Sequence, residues 1–595
     1  MRQSVQRTSI VHPKTFVERG QLYHENLLTA WVQDFIVSIL RSNPSARDAK
    51  SYLASFGARP RPVTVPKHLP LQLLDPQLIH NVQPKPTPIL SSILDPVHHK
   101  TALVKVQGPF TDRQLDSIAR GLVYLQKLGL VSIIIVEQDR VPRGEEGERE
   151  VILEETMRVV EALEKQGAKT RPVLGAVVRL GPIPGGQDTA TRGSCAPAPE
   201  AHTLPSDLAP IRSALRAGEI PVLSPFALDS FCRSSRVDAN DVVAALARGM
   251  VEAAENDHGQ KPVETVTHSE IDVDLTPMRL MIINREGGVP SYARFGLPHL
   301  LVNLEAEHNY IRDTFQSSWT TTHPTALSNL ALAHTCLAYM PPSSSAIMVN
   351  HRAPSSLIGN LITNKPAVSS SLPHALLQGN QSLTPNTPTL FRRGLSVEVI
   401  RDCADIDKAK MTRLLEQSFG RVLDSDAFYT RLEKTLDFVI IAGDYAGAAV
   451  VTRETSGANP SAPPIVYLDK FAVLPSHQGD GTVDFLWVAL HDETYGLGLP
   501  FSVNLNGGKE GCGEGEDLVW RSRSNNPVNK WYFERSSGHV RMGDWVLFWC
   551  DAEKRLKTAE GRRASAGLSY VEEWEHGRLS VWADVVPRVP SSWKK

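Results

Sequence analysis

The chain has 595 residues, 41% of them hydrophobic and 22% charged, and a formal net charge of −2. That length is too great for one hydrophobic core, so about two to four domains are expected. The near-neutral balance gives no global basic field for nucleic acid, and no apolar run is long enough to span a bilayer, so neither nucleic acid nor membrane is an expected partner.

Residues 1–21 precede any apolar periodicity. Positions 1–17 carry Arg2, Arg7 and Lys14, no acid, and the hydroxyls of Ser4, Thr8 and Ser9. Two readings stay open, a mitochondrial presequence and a frayed basic tail; the apolar centre of a secretory signal is missing. Over 22–90, Leu27, Leu28, Trp31, Phe35, Ile36 and Ile39 recur at helical spacing, Asn43-Pro44-Ser45 interrupts them, and 46–56 resumes the helix. Pro60, Pro62, Pro66, Pro70 and Pro76 then mark a linker or extended arm.

Between 91 and 390 the pattern alternates. Strands are predicted at 101–106, 131–136, within 168–180, and at 220–223, 279–284 and 299–303. Helices are predicted at 112–126, 148–166 and 237–252. The alternation argues for a mostly parallel sheet covered on both faces. Residues 183–206, rich in Gly, Pro, Ala, Ser and Thr, read as a loop. Residues 341–390 read as partly linker, with a short helix at 357–363.

A second α/β domain is predicted over 391–552, with strands at 395–400, 438–442, 448–452, 465–473, 518–521 and 545–549 and helices at 405–419, 426–435, 481–494 and 527–535. The stretch 496–517, with its many glycines, reads as an inserted surface loop. Residues 553–595 form a charged, Trp-containing extension with no assigned role. The six cysteines, at 195, 232, 336, 403, 512 and 550, form no CxxC and read as reduced thiols rather than disulfides or zinc ligands, which favours an intracellular compartment. No metal site is expected.

The chemistry concentrates in this second domain. After the strand 465–473 comes Gln478-Gly479-Asp480-Gly481-Thr482, where Gly479 and Gly481 let backbone N–H groups approach phosphate oxygens and the following helix directs its positive end at the same spot. Alone, such a turn is more often only a turn. Asp469 and Lys470 interrupt the apolar strand, and strict alternation would send them to opposite faces. They are either separately paired charges or, for Lys470, a group aimed at a substrate. The backbone of Phe471, Ala472 and Val473 can hold an extended ligand arm as an added strand, with one amide polarising a thioester carbonyl. Arg521 and Arg523 share one face of a strand end, which suits a dicarboxylate; the plainer reading is a solvated strand end. Asn526 precedes Pro527 at a helix start and fits a cap. Asn529 and Tyr532 share a face of that helix, while Trp531 and Phe533 are expected in the core.

The strings Tyr467-Leu-Asp-Lys-Phe-Ala-Val473, Gln478-Gly-x-Gly481 and Trp520-Arg-Ser-Arg523-x-x-Asn526-Pro-x-Asn529-x-Trp531-Tyr-Phe533 resemble the GCN5-related acetyltransferase fold and, more closely, the fungal mitochondrial N-acetylglutamate synthases. The resemblance extends to the first domain, where Lys105, Gln107 and Gly108 look like a degraded amino-acid-kinase strand end lacking one phosphate-binding glycine, and where 218–222 and 238–241 fit the same fold. It implies an N-terminal amino-acid-kinase-like three-layer domain with a regulatory role, followed by an N-acetyltransferase domain. It also implies acetyl-CoA as co-substrate with no permanently bound cofactor, L-glutamate as acceptor, and L-arginine as feedback inhibitor. A mitochondrial matrix location, a homo-oligomer and a complex with acetylglutamate kinase are further implications. Carried over residue by residue, Lys470, Arg521, Arg523 and Asn526 bind the acceptor. Phe471, Ala472, Val473, Gln478, Gly479, Asp480, Gly481 and Thr482 bind the thioester nucleotide, and Tyr532 protonates the departing sulfur. Val483, after the glycine turn, is a departure that crowds the diphosphate position. A weak or inactive regulatory subunit that binds the kinase is the alternative reading. A true amino-acid kinase is disfavoured by the missing glycine.

Overall fold

The structure is a computed structural model that describes residues 52, 99–175, 177–181, 200–259, 274–294, 296–353, 355–372, 383–456, 464–491, 497, 516–551 and 573–594. The expectations for the presequence, the N-terminal helices and the Pro-rich arm lie outside these residues, except at Tyr52. That side chain is buried, and its hydroxyl donates to the Leu128 carbonyl at 2.7 Å.

The first domain is built on an eight-stranded sheet. Its strands are β1 Lys100–Gly108, β2 Leu130–Gln138, β3 Thr170–Val173, β6 Ile220–Leu223, β9 Pro277–Asn284, β10 Leu301–Asn303, β11 Ser345–Asn350 and β12 Thr389–Arg392, in the order β10-β12-β11-β9-β1-β2-β6-β3. From β11 to β3 every pairing is parallel; β12 runs antiparallel to β11. A parallel sheet needs crossovers, and these cover both faces. Helices α1 Asp112–Lys127 and α2 Glu148–Lys165 pack on the face carrying Val104, Met281 and Ile347. Helix α3 Ala209–Arg216, α4 Ala239–Gly259, α5 Leu304–Asp313 and α6 Ala326–Tyr339 pack on the face carrying Leu103, Ile282 and Met348. Helix α7 Ser355–Thr363 returns to the first face. The three-layer arrangement is thus present.

Three local expectations are corrected. The segment 168–180 holds two strands, because the chain leaves the large sheet after Val173 and enters a small one as β4 Val178–Gly181. That sheet is completed by β5 Glu200–His202, β7 Phe226–Leu228 and β8 Ser234–Arg236. Residues 200–202, expected in a loop, are therefore a strand. Residues 345–350, expected in a linker, form β11 near the middle of the large sheet. Its Ala346, Ile347, Met348 and Val349 are fully buried, and that burial outweighs the Ser, Pro and Asn around them.

The second domain has a seven-stranded sheet, order β13-β14-β15-β16-β17-β19-β18. The ranges are β13 Val397–Ile400, β14 Leu436–Ala442, β15 Gly447–Glu454, β16 Ile465–Val473, β17 Leu518–Arg523, β18 Gly538–Met542 and β19 Trp545–Cys550. All neighbours are antiparallel except β16 and β17. Helix α8 Lys408–Phe419 is capped by the Asp407 carboxylate on the amides of Ala409 and Lys410, and ends at Gly420 with φ +64°. With α9 Ser425–Thr435 it covers the face carrying Val439, Ile441 and Val450. Helix α10 Thr482–His491 and α11 Asn529–Arg535 cover the opposite face, around Trp487, Trp520, Tyr532 and Phe548. In the second domain and the extension behind it, β18 and α12 Glu573–Val585 went unpredicted. Trp582 and Val585 of α12 pack on Tyr467, Val519, Leu547 and Trp549.

Candidate active site

Strands β16 and β17 pair at Val466–Leu518 and Tyr467–Val519 and then part. Beyond that point β16 is held by β15 and β17 by β19. Two parallel strands that diverge leave backbone donors and acceptors facing a gap, the geometry that accepts an extended chain as an added strand. Phe471, Ala472 and Val473 lie on the β16 side of this gap, past the last pairing with β17.

The expectation that Asp469 and Lys470 face opposite ways is overturned. Val450 pairs with Lys470 but Val451 pairs with Leu468, so Asp469 is the extra residue of a β-bulge. The bulge resets the alternation: Tyr467, Lys470 and Ala472 face the α8–α9 side, while Leu468, Phe471 and Val473 face the Trp487 side. Lys470 Nζ lies 2.8 Å from Asp469 Oδ2, and Arg431 Nη2 reaches the same oxygen at 2.7 Å. The ammonium also sits over the rings of Phe428 (5.4 Å) and Trp593 (5.9 Å) and donates to Ser592 Oγ at 3.1 Å. Burial holds the Lys470 ammonium below the usual lysine range, and the Asp469 carboxylate opposes that drop. Burial raises the Asp469 carboxyl, but Lys470 and Arg431 outweigh it and bring the group below the usual carboxylate range.

Arg521 and Arg523 share a face. Their guanidiniums stand 4.8 and 5.5 Å from the Trp545 ring centre. Arg521 Nη1 donates to the Val586 carbonyl and Nη2 to that of Val589, both at 2.7 Å, whereas Arg523 is exposed. Lys470, Arg521 and Arg523 thus occupy the same face of the sheet on the two sides of the gap. Asn526 engages its own turn, donating to Ser522 Oγ at 2.9 Å and accepting from the Val528 amide at 3.1 Å. The helix begins at Asn529, two residues after the proline that was expected to open it. Asn529 is buried and ties α11 to the β17 end through the Arg523 carbonyl at 2.7 Å.

Tyr532 lies on the other face, against Trp520 (5.4 Å), Phe548 (5.5 Å) and Trp487 (6.4 Å between ring centres), and burial pushes its phenol up to about 12. Trp531 packs between Trp487 and Phe471 as expected. Phe533 does not join the core: it is 45% exposed, resting on Phe548 and His539. The Cys550 thiol is buried, and burial raises it well above the thiol range, which makes it a poor nucleophile.

At the turn, Gly479 and Gly481 both have φ +101°, a conformation natural only to glycine. A Cβ on Gly481 would also meet Leu301 of the first domain and Phe485 at 3.3 Å each. Asp480 caps its own helix through the Thr482 amide (2.9 Å) and meets His477 Nδ1 at 3.0 Å, while Gln478 Nε2 returns to the Val473 carbonyl at 3.3 Å. Thr482 is buried. The Asp480 carboxylate is therefore engaged within the turn itself, by the Thr482 amide and His477. Val483 turns into the Trp487 core, away from the turn.

Sequence reasoning missed two further sets of residues. One is the C-terminal segment touching Lys470 and Arg521. The other is a polar clasp between domains, in which Ser369 and Ser371 meet Asp484 of α10 and Arg535 of α11. Trp593, one of three tryptophans in the C-terminal extension, was a signal for the first set; the second had none.

A splayed parallel strand pair, a glycine turn opening a helix beside it, and a three-layer α/β domain packed against that turn define a two-domain acyltransferase of the GCN5-related type. A family model described as the N-acetyltransferase of N-acetylglutamate synthase matches residues 395–498 and 514–561. The mitochondrial amino-acid acetyltransferase of Coprinopsis cinerea is 66% identical over 94% of this chain and 92% of its own length. That of Laccaria bicolor is 66% identical over 94% and 99%. Among solved structures, the N-acetylglutamate synthase of Neisseria gonorrhoeae complexed with coenzyme A and N-acetyl-glutamate aligns at 14% identity over 76% of this chain and 95% of its own, with TM-score 0.41. The chain belongs to the mitochondrial amino-acid acetyltransferases. Among its described residues no helix is long and apolar enough to cross a membrane.

Proposed function

We propose that this chain transfers the acetyl group of acetyl-CoA to the α-amine of L-glutamate, the first step of arginine (ornithine) biosynthesis, in the mitochondrial matrix. One observation carries the reading: the β16–β17 gap has the cations of Lys470, Arg521 and Arg523 on one face of the sheet and Tyr532 on the other. The pantetheine arm would run along Phe471, Ala472 and Val473, with its diphosphate on the amides of Gly479, Asp480 and Gly481 and the acetyl group at the bulge. Glutamate would approach from the α8–α9 side, its carboxylates held by Lys470, Arg521 and Arg523, with Asn526 shaping the turn beside them.

The free amine attacks the thioester carbonyl and forms the C–N bond. The tetrahedral intermediate collapses, the C–S bond breaks, and the thiolate takes the Tyr532 proton. The amine's surplus proton leaves through water, and water returns one to the Tyr532 phenolate to close the cycle. No acyl-enzyme is involved.

In the first domain, the Lys105 ammonium is buried against Glu137 (2.7 Å), Asn240 (2.7 Å) and Asn329 (3.0 Å), so its three donors are spent internally. This supports a regulatory role there, with L-arginine as inhibitor, over phosphoryl transfer. A homo-oligomer and a complex with acetylglutamate kinase belong to the same proposal. The test is product formation by the purified chain with acetyl-CoA and a panel of amino acids. N-acetylglutamate and free CoA in equal amounts are expected; a preferred acceptor with only one carboxylate would defeat the reading.

A further inference from the structure

The last described residues run across the acceptor face. Val586 and Val589 give their carbonyls to the two Nη atoms of Arg521 at 2.7 Å each, and three residues later Ser592 Oγ meets Lys470 Nζ at 3.1 Å. Arg521 belongs to β17 and Lys470 to β16, so this short segment bridges the strands where they no longer pair with each other. We infer that the segment Val586–Trp593 is a fixed wall of the acyl-acceptor pocket that sets the separation of Lys470 and Arg521, with Ser592 as a positioning residue for Lys470. The inference rests on the proposed assignment of those two cations to the acceptor carboxylates.

The segment is anchored on both sides of the gap. On the β17 side, Val586 and Val589 are buried with Trp582 and Val585 of α12 against Val519 and Leu547. On the other side, Ser592 accepts from the Asp424 amide (2.9 Å), Lys594 donates to the Val422 carbonyl (3.0 Å), and Trp593 bridges Leu423 and lies 5.0 Å from the Phe419 ring. Exposing one such valine costs roughly 1.5–3 kcal/mol, so displacing the segment at every turnover would add a barrier for no chemical return. A displaceable cover would be polar and free at one end; this one is apolar and held at two.

The contacts also leave capacity. The Arg521 guanidinium has five N–H donors, and the two carbonyls use two of them; the Lys470 ammonium directs its three at Asp469 Oδ2, the Asp469 carbonyl and Ser592 Oγ, so it contributes a fixed charge while Arg521 keeps the spare donors. The remaining donors are fixed in direction because the others are bound. A group pinned in this way loses less entropy when it takes a carboxylate. Because two cations at a set spacing measure the length of a diacid, the segment bears on the choice between glutamate and its one-carbon-shorter homologue.

The test uses the full chain carrying Ser592→Ala, Ser592→Thr or a stop after Val589, with Arg521→Ala as reference. Ser592→Ala is expected to raise the acceptor KM by about fivefold, the scale of one lost hydrogen bond to a charged group, with the acetyl-CoA KM unmoved. Ser592→Thr should restore it. The truncation should raise it further and narrow the glutamate-over-aspartate preference. An acceptor KM unchanged or lowered in Ser592→Ala, or a threonine that fails to restore it, overturns the inference while Arg521→Ala still raises the KM. If Arg521→Ala itself leaves the acceptor KM alone, the acceptor-site assignment falls, and the wall with it. Should the truncated chain not fold, the Ser592 pair decides.

Discussion

Arg535 Nε donates to the Ser371 hydroxyl at 2.7 Å, across the boundary between the two domains. Its Nη2 reaches Ser369 Oγ at 2.9 Å, and both hydroxyls also meet the Asp484 carboxylate. Asp484 lies in the first turn of α10, whose start holds the proposed diphosphate turn; Arg535 ends α11, which carries Tyr532. The two serines of the first domain therefore grip both helices that flank the proposed thioester path. Replacing Ser369 and Ser371 together by alanine is expected to raise the half-inhibitory arginine concentration by about fivefold, with both substrate KM values within about twofold, since the four hydrogen bonds these hydroxyls make to Asp484 and Arg535 are lost. Dose–response curves at fixed substrate check this, and an unaltered arginine response would place the coupling elsewhere.

The Asp469–Lys470 contact is expected to make acceptor binding pH-dependent, given the proposed role of Lys470. Burial already holds Lys470 below the ordinary lysine range, and the Asp469 carboxylate is what resists a larger drop. Asp469→Asn removes that support, so Lys470 should lose its proton at lower pH. The alkaline limb of kcat/KM for glutamate is expected to shift to lower pH, with the acetyl-CoA KM unchanged at pH 7. A limb that stays in place would mean that Lys470 does not bind the acceptor in its charged form.

Tyr532→Phe removes the phenol while keeping the ring that packs on Trp520 and Phe548. Turnover is expected to fall by about 10²-fold, the lower end for a lost general acid, with the acetyl-CoA KM within about threefold. Burial pushes the phenol up to about 12, so the native enzyme should keep its acid form through pH 10. Unchanged turnover in the variant would assign thiolate protonation to water.

Stability carries its own pH signature. His491 is buried at the end of α10, and burial takes it from 6.5 down to about 4; His299, buried in the first domain, is lowered to about 3. Between these values and 6.5 the unfolded chain binds protons that the folded one does not. The stability is therefore complete above about pH 6.5 and is lost as pH falls through the folded values; His491 alone accounts for roughly 3 kcal/mol. Thermal midpoints measured from pH 7.5 to 4.5 should fall, and His491→Gln should flatten part of the slope. Parallel curves for the two proteins would reject the assignment.

The residue order by itself determined what is periodic or confined to a few neighbours. The apolar runs of β1, β2 and β9 announced a parallel sheet buried on both faces, two glycines before an apolar helix announced a tight turn, and Arg521 and Arg523 at a spacing of two had to share a face. Only the tertiary structure decided where those groups meet anything. The bulge at Asp469 exists because β15 pairs around it, and that one extra residue turned Lys470 toward its neighbour and undid the simple alternation. The contacts of Arg521 with Val586 and Val589, of Lys470 with Ser592, and of Arg535 with Ser371 join positions far apart in the chain. Such pairings leave no local period to read, because they are selected by which buried donors still lack an acceptor once the sheet and its helices have packed.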